Sequence, residues 1–202
     1  MLWMITDFLK TPSVSSAEST ICKALECGVD KVSLRNGSVF KKEEVFSLAC
    51  RIEKRFPEKE VFIHDMAPVE FSGYKYFHFP SSKIEDAINC KKQFKNIVTA
   101  VSTHSEQEFS YAFSRGVDYA LFSPVFRPLS KPDDNRKTIM PLFLKNLYLL
   151  GGIDRMRGKM LVYNGYTNIA GVSLFYGDDA QKNILELASL IREKENEFTY
   201  TN

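Results

Sequence analysis

Two adjacent glycines mark the part of this chain whose chemistry is easiest to infer. Gly151 and Gly152 end an apolar run that begins at Leu147, and a second apolar run, 170–175, follows about twenty residues later. Because glycine has no Cβ, a phosphate group can closely approach the backbone N–H groups of such a loop. The spacing predicts two consecutive units of strand and loop with a phosphate site at their ends.

All three histidines of the chain, His64, His78 and His104, end or follow apolar runs. An imidazole in such a position can act as an acid, a base or a metal ligand. His64 with Asp65 could form half of a metal site, although no His-x-x-x-His or cysteine cluster accompanies them. His78 has a structural alternative, because it alternates with Tyr76 in a way that suits an interior side chain.

Arg35 closes the apolar run 31–35. A charge at the end of a buried strand is costly unless it meets a carboxylate or an anionic ligand. Asp7 and Asp65 are the candidate structural partners. We favour the interpretation that Arg35 binds an anion.

These residues come together only if the chain folds so that its strand ends converge. Helix-like segments, including 43–56, 106–113 with Ser105 as N-cap, and 180–196, separate most of the apolar runs. Strand alternating with helix predicts a single-domain (β/α)₈ barrel, or TIM barrel, whose chemistry lies at the C-terminal ends of the strands; an open doubly wound sheet is the alternative. The apolar runs interpreted as strands are 2–6, 31–35, 61–64, 74–79, 97–102, 119–125, 147–150 and 171–175.

Composition agrees with one small globular domain. The 202 residues, 44% of them hydrophobic, fit one barrel spanning 1–202 and leave no room for a second domain, with 193–202 expected to fray. A net charge of +2 argues against nucleic acid as a partner, and no apolar run reaches membrane-spanning length. Strand 1 begins next to Met1, so we expect no signal peptide and a cytoplasmic location. The four cysteines form no Cys-x-x-Cys pair and are expected to be reduced, while the oligomeric state is left open, a homo-oligomer included.

Several segments together resemble a known family. They are Ile5-Thr-Asp7, the run 24–35 that ends in Ser-Leu-Arg35, Val-Ser-Thr-His-Ser-Glu-Gln-Glu at 101–108, the run 116–131 and Gly-Gly-Ile at 151–153. In this combination they are similar to the thiamine phosphate synthase/TenI family. The resemblance implies a (β/α)₈ barrel that joins hydroxymethylpyrimidine diphosphate to thiazole phosphate. Pyrophosphate is released, and weakly bound Mg²⁺ and basic residues stabilise its departure.

The resemblance also implies a role for each position that matches the motifs of the family. Small phosphorylated molecules are the implied partners. The implied roles are catalytic for Arg35, His64, Ser102 and Lys131, substrate or phosphate binding for Ser130, Gly151, Gly152, Phe175, Tyr176, Lys83 and His104, and metal binding for Asp65.

Part of the family pattern is altered here. Lys83 stands at or near the position of the family's second Mg²⁺ aspartate, which exchanges a metal ligand for a fixed positive charge. Bulky Phe175 and Tyr176 stand in place of two small residues, which predicts a tighter phosphate pocket. The other altered positions are Gly37 for a lysine, His64 for an amide, Lys83 at or near the second aspartate, Pro128 for a threonine, and Pro124 for the histidine of the tautomerase branch.

Three functions follow from these observations. The first is a thiamine phosphate synthase-like enzyme. The second is a TenI-like thiazole tautomerase, or a non-catalytic binder of thiazole or thiamine phosphate. The third is a metal-dependent hydrolase or isomerase on the same barrel, with His64, Asp65, His78 and His104 as its metal site.

Overall fold

The structure, a computed structural model, describes residues 1–71, 73–126, 141 and 144–199 of the chain. Eight parallel strands pair in chain order, and the last pairs with the first, so the sheet is a closed barrel. This confirms the predicted (β/α)₈ architecture. The strands are β1 (Leu2–Ile5), β2 (Lys31–Leu34), β3 (Glu60–His64), β4 (Tyr76–Phe79), β5 (Val98–Thr103), β6 (Tyr119–Phe122), β7 (Leu147–Leu149) and β8 (Ile169–Gly171).

Helices surround the barrel, and the N-cap predicted at Ser105 is confirmed. Ser105 accepts a hydrogen bond from the backbone N–H of Glu108, and Asp154 caps the fifth helix through Arg157 in the same way. Among the described residues, no helix is long and apolar enough to cross a bilayer. The helices described are α1 (Val14–Glu26), α2 (Lys42–Arg55), α3 (Ile84–Gln93), α4 (Glu106–Ser114), α5 (Arg155–Tyr163) and α6 (Ala180–Thr199).

Alternation along each strand divides the core into two layers. In β1, Leu2 and Met4 face the helices, whereas Trp3 and Ile5 face the barrel interior. Successive side chains of a strand point to opposite faces, so every strand contributes to both layers. Aromatic rings fill much of the interior, with the Trp3 ring 4.6 Å from that of Phe62 and 4.8 Å from that of Tyr148.

A partly buried charge pair lies at the N-terminal end of the barrel. Lys31 forms an ion pair with Glu60, and its ammonium lies 4.6 Å from the centre of the Tyr119 ring. Pairing offsets much of the cost of removing the Lys31 ammonium from water. The interior is therefore filled and neutralised at this end, and the strand ends at the other mouth are left for function.

The structure differs from the sequence prediction mainly at element ends. Strand β8 ends at Gly171, whereas we predicted 171–175; the residues Ser173–Phe175 form a 3₁₀ turn instead. The N–H groups of Phe175 and Tyr176 bond to carbonyls three residues earlier, so they are used within the turn. A short buried apolar run cannot be assigned to strand or turn by its composition alone, because burial is common to both.

The link between β3 and β4, the end of the last helix and the cysteines complete the comparison with the sequence predictions. Among its described residues, the short link between β3 and β4 contains one 3₁₀ turn, Pro68–Glu70, and no α-helix. Helix α6 continues to Thr199, beyond residue 193, where we expected fraying. All four cysteines are free thiols.

Candidate active site

The barrel mouth gathers most of the residues singled out from the sequence. Arg35 follows β2, His64 ends β3, Ser102 lies near the end of β5, and the 3₁₀ turn that contains Lys83 follows β4. Since neighbouring parallel strands end at the same edge, these side chains share one face of the barrel. Ser130 and Lys131 lie outside the described residues.

Arg35 is held by its backbone and leaves its side chain exposed. Its N–H donates to Thr6 Oγ1 at 2.8 Å, which ties the end of β2 to that of β1. No carboxylate of the described residues lies within 4.0 Å of the guanidinium, so neither Asp7 nor Asp65 is its structural partner. The mouth therefore presents an arginine charge that an anionic ligand can neutralise.

Asp65 and Lys83 form an ion pair at the rim of the mouth. Lys83 Nζ lies 2.7 Å from Asp65 Oδ1, and each side chain is 46% exposed. Asp65 adopts a left-handed backbone conformation, with φ of 60°, and its N–H donates to the carbonyl of His78 at 2.9 Å. The hydrogen bond to Asp65 raises the pKa of Lys83, which keeps the ammonium protonated. Held in this way, the Lys83 charge is positioned beside a cleft of about 180 Å³.

The expected Mg²⁺ site can be compared with the donors that this arrangement provides. Mg²⁺ is usually held by one or two carboxylates plus substrate phosphates in octahedral geometry. Asp65 is the only carboxylate that matches a Mg²⁺ ligand of the family, and it already forms an ion pair with the Lys83 ammonium. Within the described ranges, no three His, Cys, Asp or Glu side chains come together as a metal site. As arranged here, these residues do not by themselves form a resident divalent-cation site. A weakly bound Mg²⁺ that also takes substrate oxygens at Asp65 stays a prediction, and no step below uses it.

His78 is buried and His64 is partly buried, and both are neutral bases. Burial lowers the pKa of His64 to about 4, and burial lowers that of His78 well below its ordinary value, with the Arg35 charge adding to both effects. Their rings meet edge to face at 4.7 Å between centres. Both ring nitrogens of His78 have side-chain partners, Ser33 Oγ at 2.8 Å and Ser102 Oγ at 3.0 Å. His78 therefore has no nitrogen left for a metal, which removes the main support for the hydrolase or isomerase hypothesis.

His104 follows β5, at the start of the loop into α4. Its Nδ1 is 2.6 Å from the carbonyl of Ser123, and a carbonyl only accepts, so this nitrogen carries the hydrogen. Its backbone N–H donates to Glu108 at 2.6 Å. The imidazole is thereby fixed beside the loop that follows β6, with Nε2 as its basic nitrogen.

The glycines after β7 allow two loops to pack closely. Gly151 has φ of +97°, and a Cβ there would lie 2.7 Å from Pro124 Cα; at Gly152, a Cβ would lie 2.7 Å from the carbonyl oxygen of Phe126. The N–H of Phe126 also donates to the carbonyl of Gly151 at 3.1 Å. These contacts give both glycines a packing role, and their predicted role in phosphate binding stays a prediction.

Phe175 and Tyr176 occupy different environments. Phe175 is 2% exposed and packs against Gly171 in the layer between barrel and helices, so its bulk fills the core. Tyr176 is half-buried, and its hydroxyl accepts the N–H of Asp7 at 2.8 Å. Burial raises the pKa of Tyr176, while the hydrogen bond from Asp7 and the Arg35 charge oppose this effect. Tyr176 thus links the loops after β8 and β1 at the mouth.

Sequence reasoning missed two residues of this site, Trp3 and Ser33. Trp3 Nε1 donates to Ser33 Oγ at 2.9 Å, and Ser33 in turn contacts His78. A signal was present: Ser33 is a polar residue inside an apolar strand and precedes Arg35 by two. Positions two apart in a strand face the same way, so Ser33 could have been placed inside the barrel below the mouth.

Comparison with known proteins agrees with this geometry. A protein of Aquifex aeolicus (strain VF5) named "Putative thiamine-phosphate synthase 2" is 29% identical over 173 residues, which cover 77% of this chain and 88% of that protein. The structure is similar to thiamine phosphate pyrophosphorylase from Pyrococcus furiosus, with a TM-score of 0.71, 21% identity and 96% of each chain covered. The corresponding enzyme from Bacteroides thetaiotaomicron gives a TM-score of 0.54 at 16% identity, with 96% of this chain and 97% of that chain covered. At these identities, the two structural matches show the fold.

The family assignment comes from the sequence as a whole. The family described as thiamine monophosphate synthase matches residues 3–175, from β1 to the 3₁₀ turn after β8. The matched region contains the mouth residues described above except Tyr176. This chain belongs to the thiamine monophosphate synthase family.

Proposed function

We propose that this chain joins hydroxymethylpyrimidine diphosphate to thiazole phosphate, producing thiamine phosphate and pyrophosphate. The observation that carries the proposal is the Arg35 guanidinium at the barrel mouth, which has no carboxylate partner among the described residues. A second cation, Lys83, lies on the same rim. Both charges suit a diphosphate group, and membership of the family supplies the substrate class.

The proposed reaction places its electrostatic demand on the leaving group. The C–O bond between the pyrimidine methylene and the diphosphate breaks, and both electrons leave with pyrophosphate. The lone pair of the thiazole nitrogen then forms the new C–N bond. Because negative charge accumulates on the diphosphate as the bond breaks, cations fixed in place beforehand lower the barrier.

Each described residue has a distinct part in this scheme. The planar Arg35 guanidinium donates two parallel hydrogen bonds to the diphosphate. The Lys83 ammonium, oriented by Asp65, acts as a point charge on the same group. Ser102 donates a hydrogen bond from the end of β5, and backbone N–H groups near Gly152 hold the thiazole phosphate.

The test is direct product formation. The purified protein is mixed with both substrates, with and without added MgCl₂, and thiamine phosphate is measured by chromatography. We expect product in wild type and a large loss in Arg35→Ala. Arg55→Ala, which removes the same charge from the outer surface of α2, serves as the control. Absence of product at every Mg²⁺ concentration, together with binding of thiazole phosphate by calorimetry, would identify a binder instead.

A thiazole tautomerase is the second candidate, and His104 is the observation that favours it. At the position of the histidine that the tautomerase branch uses, this chain has Pro124. His104 is hydrogen-bonded to the carbonyl of Ser123, the residue that precedes Pro124. An imidazole with Nδ1 protonated has a basic Nε2 that can move a proton on a thiazole ring. Tautomer interconversion that is lost in His104→Gln, with no thiamine phosphate formed by wild type, would favour this function.

A further inference from the structure

Four hydrogen-bonded side chains cross the inside of the barrel from β1 to β5. Trp3 Nε1 lies 2.9 Å from Ser33 Oγ, Ser33 Oγ lies 2.8 Å from His78 Nδ1, and His78 Nε2 lies 3.0 Å from Ser102 Oγ. Trp3 and Ser33 are fully buried and His78 is 2% exposed, so water does not compete for these bonds. Ser102, at the mouth end, is only half-buried.

The chemistry of the first two side chains sets the direction of the hydrogen bonds. Tryptophan has an N–H donor and no acceptor, so Ser33 Oγ must accept from Trp3. Among the described residues, His78 Nδ1 is the other partner of this hydroxyl. The Ser33 hydrogen therefore has one acceptor available, His78 Nδ1. Any other arrangement would leave a buried hydroxyl donor without a partner, which is costly.

We infer that this buried chain, Trp3–Ser33–His78–Ser102, is polarised toward the mouth. His78 is neutral with its hydrogen on Nε2, which donates to Ser102 Oγ. Ser102 then turns its own hydrogen outward and presents a donor to an acceptor oxygen of a bound phosphate group. Trp3, Ser33 and His78 are positioning residues. The role of the phosphate ligand rests on the proposed function, whereas the direction of the chain does not.

The direction can be measured without any ligand. In ¹⁵N NMR spectra of imidazole-labelled protein at pH 8, His78 should show the protonated Nε2 form. His104 serves as an internal reference for the other tautomer, with the hydrogen on Nδ1, because its Nδ1 donates to the Ser123 carbonyl. With three histidines in the chain, the resonances are assigned by single substitution. A protonated Nδ1 on His78 would overturn the inference.

Removal of the first donor tests the part played by Trp3. Trp3→Phe keeps an aromatic ring but frees Ser33 to reverse its bond, so we expect His78 to become a mixture of the two tautomers. Tyr148→Phe is the matched control. The Tyr148 ring centre lies 4.8 Å from that of Trp3, and among the described residues its hydroxyl has one hydrogen-bond partner, Met1 Sδ at 3.5 Å. An unchanged His78 spectrum in Trp3→Phe would refute the inference. If Trp3→Phe does not fold, Ser33→Ala is expected to give the same mixture.

Binding of inorganic pyrophosphate tests the consequence at the mouth. Ser102→Ala should weaken binding about tenfold, the usual effect of losing one hydrogen bond to a charged group. Trp3→Phe should weaken it less, and should have no effect when added to Ser102→Ala, because both act through the same hydroxyl. An equal loss in both backgrounds counts against the inference. If wild type binds no pyrophosphate, the proposed function fails, and the NMR result alone decides the direction of the chain.

Discussion

Replacement of Arg35 by alanine gives the sharpest test of the barrel mouth as an anion site. The side chain is exposed and has no carboxylate partner among the described residues, while the fold depends on its backbone N–H to Thr6 Oγ1, which alanine retains. We therefore expect the free energy of unfolding to change by less than about 0.5 kcal/mol. Loss of a charge-assisted pair of hydrogen bonds should weaken pyrophosphate binding by about 1.5 to 3 kcal/mol.

That free energy corresponds to an increase in Kd of about tenfold to about 100-fold. The assay is calorimetric titration with sodium pyrophosphate at two salt concentrations, and the difference between variants should shrink at high salt. Arg35→Lys should recover part of the affinity, since it restores the charge without the planar fork. Arg55→Ala controls for net charge. The reasoning is refuted if Arg35→Ala folds normally and binds pyrophosphate as tightly as wild type.

Three further outcomes are expected. The free energy of unfolding should fall below pH 6.5, because partial burial lowers the pKa of His64 to about 4 and the unfolded chain therefore binds the proton first. By pH 5 the loss from this group is about 2 kcal/mol. Equal urea midpoints at pH 7.5 and pH 5 would contradict this. Gly151→Ala should destabilise the protein by about 1 to 3 kcal/mol more than Gly116→Ala. Both glycines have positive φ, but of the two only at Gly151 would a Cβ lie within 3 Å of backbone atoms. Equal thermal midpoints of the two variants would show that this close packing is unimportant. Lys83→Ala should tighten Mg²⁺ binding in a calorimetric titration by freeing Asp65, and an unchanged Kd would show that the ion pair does not block the cation.

The barrel architecture follows from local features of the amino-acid sequence. Eight apolar runs separated by amphipathic segments leave few ways to bury both faces of parallel strands, and closure into a barrel is one of them. Arg35 was placed at the mouth by the same local pattern, because an unpaired charge inside a buried strand is costly. Periodicity and capping depend on neighbours along the chain, so these features can be predicted from a single sequence.

Which side chains contact one another across the barrel depends on the tertiary structure. The Asp65–Lys83 ion pair joins the ends of β3 and β4, and the packing of Phe175 in the core depends on a turn whose residues have the composition of a strand. The link from Trp3 through Ser33 to His78 connects three strands across the interior. Such contacts depend on barrel closure and on the register between strands, which set distances between residues remote in the chain, and no local pattern encodes those distances.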